Sequence, residues 1–115
     1  MRNYNSWEKK TRENTIILRQ VKQRIHALMP NAEIIFYGSR ARGESTSHSD
    51  WDFLILSDNS ITQSLLTAIR SSLYDLELET GQDLSSIIRN KKEWNSPKYA
   101  VLPFKKEVDE EGIIL

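Results

Sequence analysis

The chain has 115 residues, which suits one domain over 1–115 with a single core. Sixteen basic and sixteen acidic side chains cancel, so net charge offers no general attraction for nucleic acid, while 28% charged and 38% hydrophobic residues describe a globular chain rather than a disordered one. The absence of cysteine excludes disulfides, thiolate metal sites and cysteine nucleophiles.

The opening stretch MRNYNSWEKKTREN has no apolar h-region. No apolar run approaches the roughly 20 residues that cross a bilayer. Neither export nor membrane insertion is expected, and the expected setting is cytoplasmic. Residues 7–28 are then read as the first helix, with Ile17, Val21, Ile25 and Leu28 on one face and Leu18 beside them. Pro30 disfavours helical geometry at Met29 and ends it.

Residues 33–37, EIIFY, form a β-branched and aromatic run expected to be a buried strand, broken by Gly38. Ser39 to Gly43 suits a turn or the start of a helix, and residues 44–49 are a polar loop by composition. WDFLIL, residues 51–56, is a second strand. Its alternation places Trp51, Phe53 and Ile55 on one face and Asp52, Leu54 and Leu56 on the other. A helix over about 61–78 follows, carried by Ile61, Leu65, Ile69 and Leu73, with Ser60 as its cap and Thr80-Gly81 as its end. Residues 83–88 suit a third strand. Ser96-Pro97 suits a cap and first helical residue, Pro103 interrupts, and a last helix is expected over about 103–111 before Gly112 and an IIL tail. The result is a mixed α/β (α+β) domain, a small mixed β-sheet flanked by helices in the order α-β-β-α-β-α.

The loop between the first two strands, GSRARGESTSHSD, carries the chemistry. Asp50 and Asp52 are two residues apart, so on a strand their carboxylates point to the same side. Two like charges that close require a proton or a cation. Hard oxygen ligands that leave positions for water and phosphate suit Mg²⁺. Gly38 lets the backbone approach a ligand, Ser39 adds a hydroxyl, and the N–H groups of Ser39 to Gly43 can face an anion. Arg40 and Arg42 lie in the same turn, and guanidinium matches phosphate oxygens. Ser49, next to the acids, completes the expected nucleotide contacts. A polyphosphate on the turn and a metal on the acid pair is a layout for phosphoryl or nucleotidyl transfer.

Each feature taken singly has a plainer reading. Gly38-Ser39 suits an ordinary turn, the acid pair a solvated strand edge, and the arginines a solvent face. His48 lacks a partner for a triad and is read as exposed. Trp7, Trp51 and Trp94 are read as packing residues, Tyr37 as core or edge packing, and Arg89, Lys91 and Lys92 as a solvated strand end.

Together, however, Gly38-Ser39, ten residues, then Asp50-Trp51-Asp52 resemble the GS-x10-DxD signature of the DNA polymerase β-like nucleotidyltransferase superfamily. The wording GSRARG…SDWD and the ending FKKEVDEEGIIL look like its minimal nucleotidyltransferases. The resemblance implies a polymerase β-like nucleotidyltransferase fold, one or two Mg²⁺ ions, and ATP or another nucleoside triphosphate as substrate. It implies a third carboxylate on a following strand, as ligand or base, for which Asp83 is the match and Glu77 and Glu79 are near competitors. It favours an acceptor on a partner protein, since such proteins are often paired with a helical HEPN toxin and some adenylylate it as antitoxins; a small-molecule acceptor, such as an aminoglycoside-like antibiotic, is the alternative, used by relatives that carry an added helical domain. The first and last helices offer surfaces for that partner or for a homodimer. The rival expectation is a non-catalytic module that binds nucleotide or masks a partner with the same fold. Sequence-specific nucleic-acid binding has little support in a neutral chain.

Overall fold

A computed structural model describes residues 2–3, 15–44, 46 and 48–115. Strand β1 (Arg2–Asn3) is followed by helix α1 (Thr15–Leu28), strand β2 (Glu33–Tyr37) and a one-turn helix α2 (Ser39–Arg42). Strand β3 (Trp51–Ser57), helix α3 (Gln63–Thr80) and strand β4 (Leu84–Asn90) come next. Three helices, α4 (Lys91–Trp94), α5 (Pro97–Ala100) and α6 (Pro103–Glu111), lead into strand β5 (Ile113–Ile114).

The strands form one mixed sheet in the order β1-β5-β2-β3-β4. β2 and β3 are antiparallel with Tyr37 opposite Asp52 and Phe36 opposite Phe53. β3 and β4 are parallel with Asp52 beside Ser85 and Leu54 beside Ile87. β3 is buried on both faces, as a central strand of a covered sheet should be. One face meets α1 and α3 through Phe36, Trp51, Phe53 and Ile55. The other, through Ile35, Leu54 and Leu56, meets Trp94 of α4 and Val108 of α6. The alternation read from WDFLIL therefore holds residue by residue.

The helices show where local signals are shifted by packing. Residues 7–14 of the expected first helix lie outside the described residues. The buried stripe of α1 is Leu18, Val21, Ile25 and Met29. Ile17 and Leu28 fall at its margins, with Leu28 39% exposed, because the helix turns its Leu18–Ile25–Met29 line to the sheet. Helix α3 starts two residues later than expected. Thr62, not Ser60, is its cap, its hydroxyl oxygen accepting from Leu65 N at 3.1 Å. Gly81, at φ +71°, ends it. β4 runs two residues beyond its expected end, and Asp83 stands just before it rather than in it. There, Asn90 accepts from the N–H groups of Lys92 and Glu93 and starts α4, a cap the sequence reading passed over. Helix α6 has the bounds expected, with Pro103 first and Gly112 after its end. Among the described residues no helix is long and apolar enough to cross a membrane.

Candidate active site

The site lies at the junction of β2, α2 and β3. Tyr37 ends β2, and Gly38 follows at φ +84°, ψ −167°, a conformation open to glycine and strained for any L side chain. The chain turns there into α2, where Arg42 N donates to Gly38 O at 3.1 Å and Glu44 N to Ser39 O at 2.9 Å. Buried Ala41 anchors this turn to the core. The turn lies directly over β3, and a Cβ added at Gly38 would overlap Oδ2 of Asp52 and lie 3.1 Å from its Cγ. A bare glycine is thus what allows the GS turn and the second acid to share one place.

Asp50 is exposed and Asp52 half-buried. Burial, then the charge of Asp50, raises the Asp52 carboxyl above the ordinary aspartate range, and Arg42 pulls it partly back. Tyr37, opposite Asp52 in the register, has its phenol pushed up to about 12 by burial and then by Asp52 and Glu107. Negative charge therefore accumulates on this face and disfavours further anions, which is the condition a cation relieves.

Arg40 and Ser49, both expected at the nucleotide, build the loop. Arg40 is 9% exposed. Its Nε donates to Ser49 O at 2.9 Å and its Nη2 to Thr46 O at 3.2 Å, while its guanidinium lies 4.5 Å from the Trp51 ring centroid. Ser49 Oγ accepts from Thr46 N at 2.9 Å. Trp51 in turn donates from Nε1 to Gln82 Oε1 at 3.0 Å. The loop is thereby pinned to the sheet edge immediately ahead of the acids.

Arg42, near enough to Asp52 to act on its carboxyl, is engaged by the last helix and by Glu44. It meets Glu44 at 3.1 Å, Glu107 at 3.6 Å and Glu111 at 2.8 Å. The contact with Glu111 and, less, burial raise the Glu107 carboxyl above the ordinary range. Glu107 and Glu111 were not singled out from the sequence. Their i, i+4 spacing on the last helix was the one visible sign.

Asp83 is exposed, and its carbonyl accepts from Trp51 N at 2.9 Å. Extending the parallel register by one residue sets it beside Asp50 on the same face of the sheet. The two competitors are otherwise engaged. Glu77 Oε2 accepts from Leu84 N at 2.9 Å, and Glu79 pairs with Arg24 at 2.7 Å. Asp50 and Asp52 thus come together, and Asp83 flanks them. Among the described residues no three His, Asp or Glu side chains converge into a group able to hold a metal ion. Two carboxylates still fit Mg²⁺, which keeps several positions for water and substrate phosphate. His48 is exposed, with its N–H donating to Thr46 Oγ1 at 3.3 Å.

With this geometry in hand, comparison with known proteins is informative. Residues 18–114 match the family of nucleotidyltransferase domains. Curated proteins contain no match. Among solved structures, the chain is similar to one in a crystal structure of a toxin–antitoxin with AMP-PNP. The TM-score is 0.59 at 14% identity, over 84% of this chain and 69% of the other, a likeness of fold.

Proposed function

Because the chain belongs to the nucleotidyltransferase domain family, we propose that it transfers a nucleoside monophosphate, AMP from ATP, to a hydroxyl of a protein acceptor. The observation that carries this reading is the Gly38 turn closed directly over the Asp52 carboxylate. It puts the bare backbone of the turn directly against the second acid of the pair.

In this reading Gly38 and Ser39 receive the terminal phosphates, and Arg40 and Ser49 hold the loop that shapes their seat. Arg42, held by Glu44, Glu107 and Glu111, braces the turn beside the acids. Asp50 and Asp52, with Asp83 alongside, would hold one or two Mg²⁺ ions, which when bound neutralise phosphate charge and polarise the α-phosphorus. The acceptor oxygen forms its bond to the α-phosphorus in line as the bond to the bridging αβ oxygen breaks. Pyrophosphate leaves on the α2 side. Asp83, the exposed acid on the β4 side, takes the hydroxyl proton.

The structural neighbour with AMP-PNP and the resemblance to minimal nucleotidyltransferases support an acceptor on a partner protein, a tyrosine of a HEPN toxin that the modification would silence. An ATP-using enzyme of this kind belongs in the cytoplasm. The helices α1 and α6 offer surfaces for that partner or, as the alternative, for a homodimer.

Calorimetric titration with Mg²⁺ and AMP-PNP, on wild type and on Asp50→Asn/Asp52→Asn, tests the reading. Metal-dependent binding lost in the double variant supports it. Binding that survives the double variant overturns it.

A second reading rests on the three-acid group that does not form among the described residues. In it the fold masks a partner without chemistry. Partner neutralisation that persists in the Asp50→Asn/Asp52→Asn variant would favour this module over the enzyme.

A further inference from the structure

The sheet face that bears Asp52 continues into a cavity of about 350 Å³ between β4 and the helices α4, α5 and α6. Its place follows from the register. Leu54 lies beside Ile87 and Leu56 beside Arg89, on the same face as Asp52 beside Ser85. Ile87, Trp94, Tyr99 and Phe104 form its apolar wall. Phe104 is shared with the site: its ring meets Tyr37 edge-on at 5.4 Å and Trp94 at 5.7 Å. One aromatic side chain therefore separates the cavity from the Tyr37–Asp52 pair.

The side on which the cavity lies is informative. In-line displacement places the attacking hydroxyl opposite the departing pyrophosphate. The phosphate seat at Gly38 follows β2, and β3 with its acids lies between β2 and β4. With pyrophosphate leaving on the α2 side, as in the reading above, the acceptor comes from the β4 side, on which the cavity also lies.

The lining also has a charge. Arg89 and Lys98 stand at the cavity, and among the described residues no carboxylate lines it. Lys98 has no ion pair with a described residue, and Arg89 spends Nη1 on Ile88 O at 2.8 Å. Lys105, 5.1 Å from the Trp94 ring, is paired with Asp109 at 3.0 Å and adds no net charge. The acid in contact with the lining is Glu93, which accepts from the Tyr99 hydroxyl at 3.4 Å. The corner between α5 and α6 leaves Val101 83% and Leu102 40% exposed.

We propose that this cavity docks the acceptor polypeptide, taking an acidic segment anchored by an aromatic side chain. The inference rests on the transferase reading above and names the chemistry of its acceptor.

The test is an NMR titration of the full chain with two synthetic peptides, acetylated EEYEE and acetylated KKYKK. The acidic peptide is expected to shift the resonances of Ile87, Leu102 and Phe104. The affinity should fall at least about tenfold in the Arg89→Glu/Lys98→Glu variant, as charge complementarity requires. Leu102→Ala, a milder change at the exposed corner, should weaken it with the spectrum otherwise preserved. Equal binding of both peptides, or shifts confined to other surfaces, would overturn the proposal. So would Mg²⁺ and AMP-PNP shifting these same residues, which would make the cavity a base pocket. AMP-PNP titration of the same samples separates the two ideas. Nucleotide binding kept while the acidic peptide does not bind sinks the docking alone; loss of nucleotide binding in wild type sinks the transferase reading.

Discussion

The Cα of Gly38 and the carboxylate of Asp52 are in such close approach that no side chain fits between them. An added Cβ would overlap Oδ2 and lie 3.1 Å from Cγ and 3.3 Å from Cβ of Asp52. Gly38→Ala must therefore move the acid or the turn, and must also hold alanine at φ +84°. Such a conformation costs on the order of 1–3 kcal/mol. Urea unfolding should show that loss, and AMP-PNP affinity should fall beyond what the unfolded fraction explains. Wild-type nucleotide binding in this variant would remove Asp52 from the site.

The carboxyl of Asp52 is raised in the folded protein, by burial first and then by Asp50. The folded state thus holds a proton that the unfolded state has lost, and stability falls as pH rises from the unfolded aspartate value, about 4, through the raised folded one. Asp52→Asn should flatten this slope and be the more stable protein at neutral pH without metal. Added Mg²⁺ should restore stability to wild type and leave the variant unmoved. Thermal melts across pH 4–8, with and without Mg²⁺, check both signs. A wild type whose stability is flat through this window would refute the crowding of the two acids.

Arg42 and Glu111 lie 69 positions apart in sequence and 2.8 Å apart in space. The pair ties α2 to the last helix, so it holds the phosphate turn from outside. Glu111→Gln and Arg42→Gln should each weaken AMP-PNP binding, and together should weaken it less than the sum of the two. The coupling should shrink with added salt, since Arg42 is partly exposed. Strict additivity of the two changes would show that the contact has no part in holding the turn.

Helix α3 offers a test remote from the site. Thr62 Oγ1 accepts from Leu65 N at 3.1 Å, whereas Ser60 lies outside the helix. Thr62→Ala should cost about 1 kcal/mol, the usual worth of such a cap. Ser60→Ala should change nothing measurable in denaturant unfolding. The reverse order would put the start of the helix where the periodicity alone had it.

Much of the site was legible because its determinants are local. EIIFY followed by glycine makes a strand and a break, and acids at 50 and 52 share a face by the two-residue period. Pro103 and Gly112 bound α6 by the absence of an N–H at one end and of a side chain at the other. Arg40 was harder to read. Its composition suited a phosphate ligand, yet its guanidinium is turned inward over Trp51 and onto the Thr46 and Ser49 carbonyls. A guanidinium satisfies carbonyl and phosphate oxygens equally well, and nothing within the turn tells which it will meet.

By itself, then, the sequence determined β2 and β3, the Gly38 turn between them and the pairing of Asp50 with Asp52, all within one loop's reach, whereas β1 went unread. Only the tertiary structure decided that Glu107 and Glu111 would face Arg42, that Asp83 would lie beside Asp50, and that Glu77 and Glu79 would be engaged elsewhere. The reason is physical. A side-chain period sets the face a residue takes on its own element, but the residue opposite it is chosen when strands and helices distant in sequence close in one register and bury one core.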